Sequence, residues 1–211
     1  MVPSAILHIP DIRPGKRQPF FGQAGSRCVA ICSPMPAHDQ DYRVTREVGT
    51  SFLAQTQATV PMTRKYLSRA ASDALDIGMN APDASLPMGR PVVGITFSVI
   101  EMRGAELYVF SLGSNNVLLV SRQRIRSIIE PHGIAPWGDV IAEPGKDTEA
   151  VIREAEVTLG DGTALLVCPV SNMLGALTPP PAVNQKELSR LIGRLASGYA
   201  QFPHAWAAVL V

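Results

Sequence analysis

The stretch GRPVVGITFSVIEMRGAELYVFSLGSNNVLLVSRQRIRSI, residues 89–128, decides the fold because it contains four short apolar segments in close succession. In the first segment, Ile95, Phe97 and Val99 alternate with Thr96 and Ser98, which is the two-residue period of a β-strand. The other three segments are residues 107–112, 116–121 and 125–129. Because the links between them are short, we predict an antiparallel meander.

Three further elements are predicted upstream of this stretch. Residues 27–33 form a compact apolar run, RCVAICS, that is typical of a buried strand. Apolar stripes over residues 44–53 and 66–75 have helical spacing and predict two helices, separated by Pro61.

The downstream part of the chain predicts two strands and a helix. Strands over residues 155–159 and 163–168 are joined by Gly-Asp-Gly at 160–162, a strong turn signal. Asn184 stands three residues before Glu187, which resembles a capping box at the start of an amphipathic helix.

The order of these elements predicts the fold class and the domain organisation. With an apolar strand over residues 204–211 closing the chain, it indicates an α+β fold whose two antiparallel sheets are covered by helices on their outer faces. We expect residues 1–25 to form an extended N-terminal arm, proline-rich and basic, with one short strand over 5–9. Residues 26–211 are expected to form a single domain, since no domain boundary appears in them.

The pattern also predicts which residues form the core. We expect one set of apolar residues to meet between the sheets: Ile31, Phe97, Val109, Leu118, Leu166 and Val209. A second set should cover the outer faces from the helices: Leu67, Ala71, Leu188 and Ile192.

Composition excludes several classes of protein. The chain has 211 residues, 46% of them hydrophobic and 18% charged, which is typical of a globular domain with one sizeable core. The net charge of +1 gives no global field for nucleic acid or an anionic membrane. Its three cysteines lack a C-x-x-C spacing, which argues against a disulfide framework or a structural zinc site. No apolar run near the start is long enough for a signal segment, so we expect a cytoplasmic protein.

Four stretches resemble the metal-dependent protein phosphatase 2C family. Residues 89–128 resemble its paired strands around "lyvaNvGDSRa", and EVTLGDGTALLVCPVSNML at 156–174 resembles "l.pgD.lLLcSDGLtd.l". HAWAAVLV at 204–211 is similar to the closing "DNaTvvvv", and CVAICSPMPAH at 28–38 stands where the family has "fa.vaDGmGGh". The resemblance covers residues 27–211 and implies a four-layer αββα sandwich.

The resemblance also implies a site whose metal ligands are missing. Catalysis in that family depends on a binuclear Mg²⁺ or Mn²⁺ centre held by aspartates, which activates a bridging water. At the matching positions this chain has neutral residues: Ser33, Pro34, Ser114, Asn115, Val170 and His204. We therefore expect no metal, no cofactor and no catalytic residue at this site.

Two other kinds of site, a metal cluster and a cysteine nucleophile, have simpler explanations. His38, Asp39 and Asp41 carry metal-ligand chemistry, but a solvated loop leading into the first helix explains them better, since acids suit a helix N-terminus. Cys32 and His204 are the candidates for a nucleophilic dyad, which needs a thiol with a lowered pKa. Buried packing of both groups is the preferred interpretation.

Two basic segments are candidate partner-binding surfaces. Arg122, Arg124 and Arg126 alternate across a predicted hairpin tip and suit an acidic partner, whereas the absence of interleaved aromatic residues disfavours nucleic acid. The N-terminal arm carries the second basic group: Arg13, Lys16 and Arg17. The segment TPPP at 178–181 is interpreted as a rigid link rather than a polyproline ligand.

Three functions follow in order of preference. The first is a catalytically inactive phosphatase-like domain that works as a protein-binding, regulatory or structural subunit in a larger complex, without membrane insertion. The second is an active metal-dependent phosphoprotein phosphatase with non-standard ligands, and the third is an unrelated α+β hydrolase. Whether the chain forms a homo-oligomer is left open.

Overall fold

Two antiparallel sheets form the centre of the fold. The computed structural model describes residues 4–8, 19–24, 28–34, 39–55, 65–66, 69, 93–112, 115–130, 140–142, 152–168, 177–197 and 206–210. Sheet I contains, in spatial order, β1 (Ser4–His8), β11 (Trp206–Leu210), β10 (Thr163–Cys168), β6 (Asn116–Ser121) and β7 (Ile125–Ile129). Every neighbouring pair in it is antiparallel.

Sheet II faces sheet I and is also antiparallel. It contains, in spatial order, β2 (Phe20–Ala24), β3 (Cys28–Pro34), β4 (Val93–Arg103), β5 (Glu106–Leu112) and β9 (Ile152–Thr158), with β8 (Val140–Ala142) paired to the start of β4. The described helices are α1 (Asp39–Gln55), against sheet II, and α2 (Gln185–Ser197), against sheet I. No helix in these ranges is long and apolar enough to cross a membrane.

The inter-sheet core is built from one face of each sheet. Ile31, Val109 and Val209 lie in this core, as the sequence predicted, because successive strand residues point to opposite faces and these three point inward. Burying a side chain of this size stabilises the fold by about 1.5 to 3 kcal/mol.

The other three residues predicted for that core lie on the outer faces. Phe97 packs edge-on between Phe52 of α1 and Phe110 of β5, with ring centroids 5.0 and 6.3 Å away. Leu118 and Leu166 pack under α2. The prediction was wrong because helices cover both outer faces, so both sides of a central strand are apolar and alternation alone does not identify the inner one.

The cover of the outer faces is confirmed in part. Leu188 and Ile192 of α2 are fully buried against sheet I. Lys65, Tyr66 and Arg69 are helical, in agreement with the predicted second helix, but Leu67 and Ala71 lie outside the described residues.

The start of α2 follows the predicted cap, with one difference. The Asn184 Oδ1 accepts a hydrogen bond from the Glu187 N–H at 3.0 Å, which satisfies a free donor of the first turn. The Glu187 carboxylate instead accepts from Arg190 at 2.6 Å. Leu177 and Val183 pack against the α2 core and Pro180 is buried, which agrees with a rigid link.

The predicted meander is wrong at its middle link. β4 pairs with β5 and β6 pairs with β7, but β5 belongs to sheet II and β6 to sheet I. The chain therefore crosses between the sheets through residues 113–115. Residues 160–162 make a second crossing, from β9 to β10, although the turn itself forms: the Thr163 N–H donates to the Gly160 carbonyl, and Gly162 has φ +73°.

Parts of the predicted N-terminal arm are edge strands of the two sheets. β1 pairs with β11 and matches the short strand expected there, whereas β2, which pairs with β3, was not predicted. Its Phe20 ring lies against Gly49 of α1, and Gly22 lies close to Leu53. The basic residues Arg13, Lys16 and Arg17 lie outside the described residues.

Two helical glycines give a matched pair of stability predictions. A Cβ on Gly49 would overlap the Phe20 ring, whereas a Cβ on Gly193 would meet nothing within 4 Å. We expect Gly49→Ala to lower the free energy of unfolding by about 1 to 2 kcal/mol. Gly193→Ala should raise it by about 0.5 to 1 kcal/mol, because alanine favours the helix. Urea unfolding measures both, and shifts in the same direction would contradict the packing of β2 on α1.

Candidate functional site

A cluster of neutral polar side chains lies at one end of the space between the sheets. We call the following buried residues the polar cluster: Ser33, Thr96, Ser98, Ser111 and Asn115. The first four belong to sheet II and point toward sheet I, because Ser98 pairs with Ile31 and Ser111, while Thr96 pairs with Ser33. Two of the predicted site residues, Ser33 and Asn115, are therefore brought together here.

Hydrogen bonds join the members of the polar cluster, two of them within sheet II and one from the crossing between the sheets. The Asn115 Nδ2 donates to the Ser98 Oγ at 2.8 Å, and the Ser98 and Ser111 hydroxyl oxygens are 2.8 Å apart. The Thr96 hydroxyl donates to the Ser33 carbonyl at 3.5 Å. Since Asn115 directly precedes β6, its amide ties the crossing between the sheets to the middle of β4.

The chemistry of the polar cluster is that of a neutral network. The Asn115 Oδ1 is buried and has no hydrogen-bond partner among the described residues. Within the same residues, no group of three or more His, Cys, Asp and Glu side chains is placed to hold a metal ion. Across sheet II, Ser98 of β4 pairs with Ser111 of β5, and Ser111 pairs in turn with Arg153 of β9, a cation. Among the described residues, this end therefore offers hydroxyl groups, an amide and the Arg153 guanidinium, and no carboxylate.

The other four predicted site positions are described less fully. Pro34 ends β3, and the structure describes only its backbone, which pairs with Ile95. Ser114, Val170 and His204 lie outside the described residues. The strands next to these positions in sequence meet at the end of the sandwich that holds the polar cluster. The last residue of β10 pairs with the first residue of β6, and β11 begins beside the end of β10.

The cysteine-nucleophile alternative is not supported by the placement of the thiols. Cys32 points to the outer face of sheet II, since it pairs with Phe97, and burial raises its pKa far above the ordinary value. Burial and the nearby Glu101 carboxylate raise the pKa of Cys28 to about 12. A thiol that stays protonated at neutral pH is a poor nucleophile, so both groups behave as small apolar core residues.

The acidic segment before α1 forms part of the helix. Asp39 and Asp41 lie in the first turn of α1, where carboxylates interact favourably with the helix dipole. His38 lies outside the described residues. The loop expected at Asp39 and Asp41 is therefore the first turn of the helix instead.

The predicted basic hairpin is confirmed and lies at the far end of the sandwich. β6 and β7 pair with each other, and Arg122, Arg124 and Arg126 are all exposed. β6 runs from Asn116 beside the polar cluster to Ser121 beside the arginines, and its six residues span about 20 Å. The two predicted surfaces, the site and the basic hairpin, are therefore separate.

An ion pair between a buried carboxylate and a half-buried arginine, on the outer face of sheet II, was not predicted from the sequence. The Glu101 Oε2 accepts from the Arg103 Nε and Nη2 at 3.0 and 2.7 Å, and the Glu101 side chain is only 2% exposed. The Arg103 guanidinium also lies 5.0 Å from the centre of the Tyr108 ring. The i, i+2 spacing of opposite charges within an apolar strand is the signal that could have identified the pair.

The fold is shared with solved bacterial serine/threonine phosphatases. The PstP phosphatase of Mycobacterium tuberculosis is 18% identical, with a TM-score of 0.66 and coverage of 100% of this chain and 99% of that one. A structure of the PstP catalytic domain with two manganese ions has 18% identity, a TM-score of 0.62 and coverage of 98% and 96%. The S. agalactiae serine/threonine phosphatase has 13% identity and a TM-score of 0.69, with coverage of 99% of this chain and 98% of that one.

These likenesses confirm the predicted phosphatase 2C-like fold, and at such identities they show the fold alone. No protein-family model matches the sequence, and no curated protein matches it significantly.

Ser33 and Asn115, the two expected site positions whose side chains are described, lack the carboxylates that a binuclear metal centre needs. A pair of divalent ions needs bridging carboxylates, since hard cations with two charges are held by anionic oxygen ligands. Ser33 and Asn115 supply neutral oxygens, and the Asn115 amide is oriented by its bond to Ser98. The buried Asn115 Oδ1, which has no hydrogen-bond partner among the described residues, is a neutral acceptor and not an anionic ligand.

Proposed function

We propose that the chain is a catalytically inactive phosphatase-like domain that acts as a protein-binding, regulatory or structural subunit. The observation that carries this proposal is the neutral polar cluster at the end of the sandwich where Ser33 and Asn115 meet. Its hydrogen bonds stabilise the crossing between the sheets without any charge. The cluster therefore suits a structural role better than metal-dependent phosphate hydrolysis, which needs carboxylates to hold the metal ions.

The second candidate is an active metal-dependent phosphatase with non-standard ligands. The fold shared with solved serine/threonine phosphatases supports it, as does the placement of Asp39 and Asp41 in the first turn of α1, shortly after β3 ends. In this alternative those carboxylates would hold the metal in place of residues at the end of β3. The two candidates differ in whether the folded chain binds Mn²⁺.

Thermal unfolding with and without millimolar Mn²⁺ separates them. A ligand at one hundred times its Kd adds about 2.7 kcal/mol to the folded state, which for a chain of this size raises Tm by about 5 to 10 °C. We expect Tm to stay unchanged. A rise that the Asp39→Asn/Asp41→Asn variant abolishes would contradict the inactive domain and support the second candidate. A rise that survives in that variant would also contradict the inactive domain, and would show that the metal ligands lie elsewhere in the chain.

The remaining aspects of the function stay predictions. We expect protein partners and a larger complex, no nucleic acid, no resident cofactor and a cytoplasmic location, with self-association open. The surfaces proposed for assembly are the basic arm residues and the hairpin arginines: Arg13, Lys16, Arg17, Arg122, Arg124 and Arg126.

A further inference from the structure

We infer that the β6–β7 hairpin binds an acidic segment of a partner protein through Arg122, Arg124 and Arg126. We call these three residues the basic hairpin. The inference rests on the proposed function, because it supplies a partner chemistry for a domain that works by binding. It concerns a surface at the opposite end of the sandwich from the polar cluster.

The turn of the basic hairpin has a fixed backbone. The Ser121 Oγ accepts from the Arg124 N–H at 3.1 Å and donates to the Arg124 carbonyl at 2.9 Å. The Ser121 N–H donates to the same carbonyl at 3.0 Å. Arg122 and Arg124 are thus presented from a closed turn, and Arg126 follows from β7. Binding therefore orders side chains alone, which lowers its entropic cost.

The guanidinium groups of the basic hairpin are uncompensated. None of the three forms an ion pair or side-chain hydrogen bond with the described residues. Asp161, on the turn that precedes β10, is the acid that the topology places nearby, and it is exposed and forms no ion pair with them. By contrast, Arg190 of α2 is paired with Glu187 at 2.6 Å.

The chemistry of this surface selects carboxylates over nucleic acid. A guanidinium group binds a carboxylate with two parallel hydrogen bonds, and three such groups on one hairpin match a run of acidic side chains. Binding single-stranded nucleic acid also requires aromatic platforms for the bases. The exposed large apolar side chains in the described ranges are Phe21 and Tyr66, and neither lies on β6 or β7.

A fluorescein-labelled oligoglutamate peptide provides a direct probe. Fluorescence anisotropy of the full chain should show salt-sensitive binding. Arg122→Gln/Arg124→Gln/Arg126→Gln should weaken it about tenfold, because three exposed charge pairs are lost together. The matched control removes three exposed arginines elsewhere, Arg46→Gln/Arg190→Gln/Arg194→Gln. It lowers the net charge equally and should leave the affinity within about twofold.

Three outcomes would overturn the inference. These are no binding of oligoglutamate at low salt, equal weakening by both triple variants, or tighter binding of single-stranded oligothymidylate than of oligoglutamate through the same arginines. Failure here is distinguishable from failure of the proposed function. A chain that neither binds Mn²⁺ nor needs its basic hairpin for oligoglutamate binding would keep the inactive domain and lose only this surface.

Discussion

Replacing Phe97 with alanine is expected to lower the free energy of unfolding by about 3 to 5 kcal/mol. The Phe97 ring is fully buried and packs edge-on against Phe52 of α1 and Phe110 of β5. Its removal leaves a cavity and breaks two ring contacts, one between α1 and sheet II and one within sheet II. Urea unfolding followed by circular dichroism measures the loss.

Phe21→Ala is the matched control, because it removes the same ring from edge strand β2, where the side chain is 40% exposed. It should cost less than about 1 kcal/mol. A double-mutant cycle then locates Phe97: its loss should couple with Phe52→Ala by about 0.5 to 1.5 kcal/mol and be additive with Val209→Ala. Coupling with Val209 instead would put the ring between the sheets and contradict the α1 contact.

The second large effect is expected from Arg103→Met, which should lower the free energy of unfolding by about 3 kcal/mol. The substitution keeps most of the side-chain volume but takes the cation away from a Glu101 carboxylate that is 2% exposed. A buried carboxylate without its cation is costly, because water cannot solvate it. Chemical denaturation at neutral pH measures the change.

Two comparisons make this prediction specific to the buried pair. Arg190→Met removes an arginine from the exposed pair with Glu187 and should cost less than about 0.5 kcal/mol. The double variant Glu101→Met/Arg103→Met should be more stable than Arg103→Met alone, since no charge is then left buried. Equal losses from Arg103→Met and Arg190→Met would show that burial of Glu101 contributes nothing.

Local sequence signals identified most elements but not how the sheets are assembled. Strands β5, β6, β7 and β10 were predicted to within a residue or two, and Asn184 marked the start of α2, because periodicity and capping depend on neighbouring residues. The links at 113–115 and 160–162 have hairpin-like lengths, yet both cross between the sheets. Only the long-range pairing of β5 with β9 and of β6 with β10 distinguishes a crossing from a hairpin.

Strand β2 was missed for a related reason. Its sequence, FFGQA, shows no alternation and lies in a proline-rich region, so it has no local strand signal. Its pairing with β3 and the packing of Phe20 over Gly49 provide the stability instead. Both interactions involve residues that the sequence alone does not bring together.

The candidate site was predictable only through the family resemblance. Ser33 and Asn115 were identified by matching motifs, whereas Ser98 and Ser111 were not, because alternation in β4 suggested that Phe97 pointed inward. The inner face of sheet II is polar at one end and apolar at the other. A change of polarity along one face is invisible to a simple two-residue period.

Hydrolysis of p-nitrophenyl phosphate by the full chain in millimolar Mn²⁺ tests the central claim most directly. The neutral polar cluster cannot supply the bridging anions that a binuclear centre needs to activate water. The rate should therefore equal that of Mn²⁺ in buffer and should not change when EDTA is added. Mn²⁺-dependent turnover that increases in proportion to the concentration of the chain would contradict the account and identify an active phosphatase.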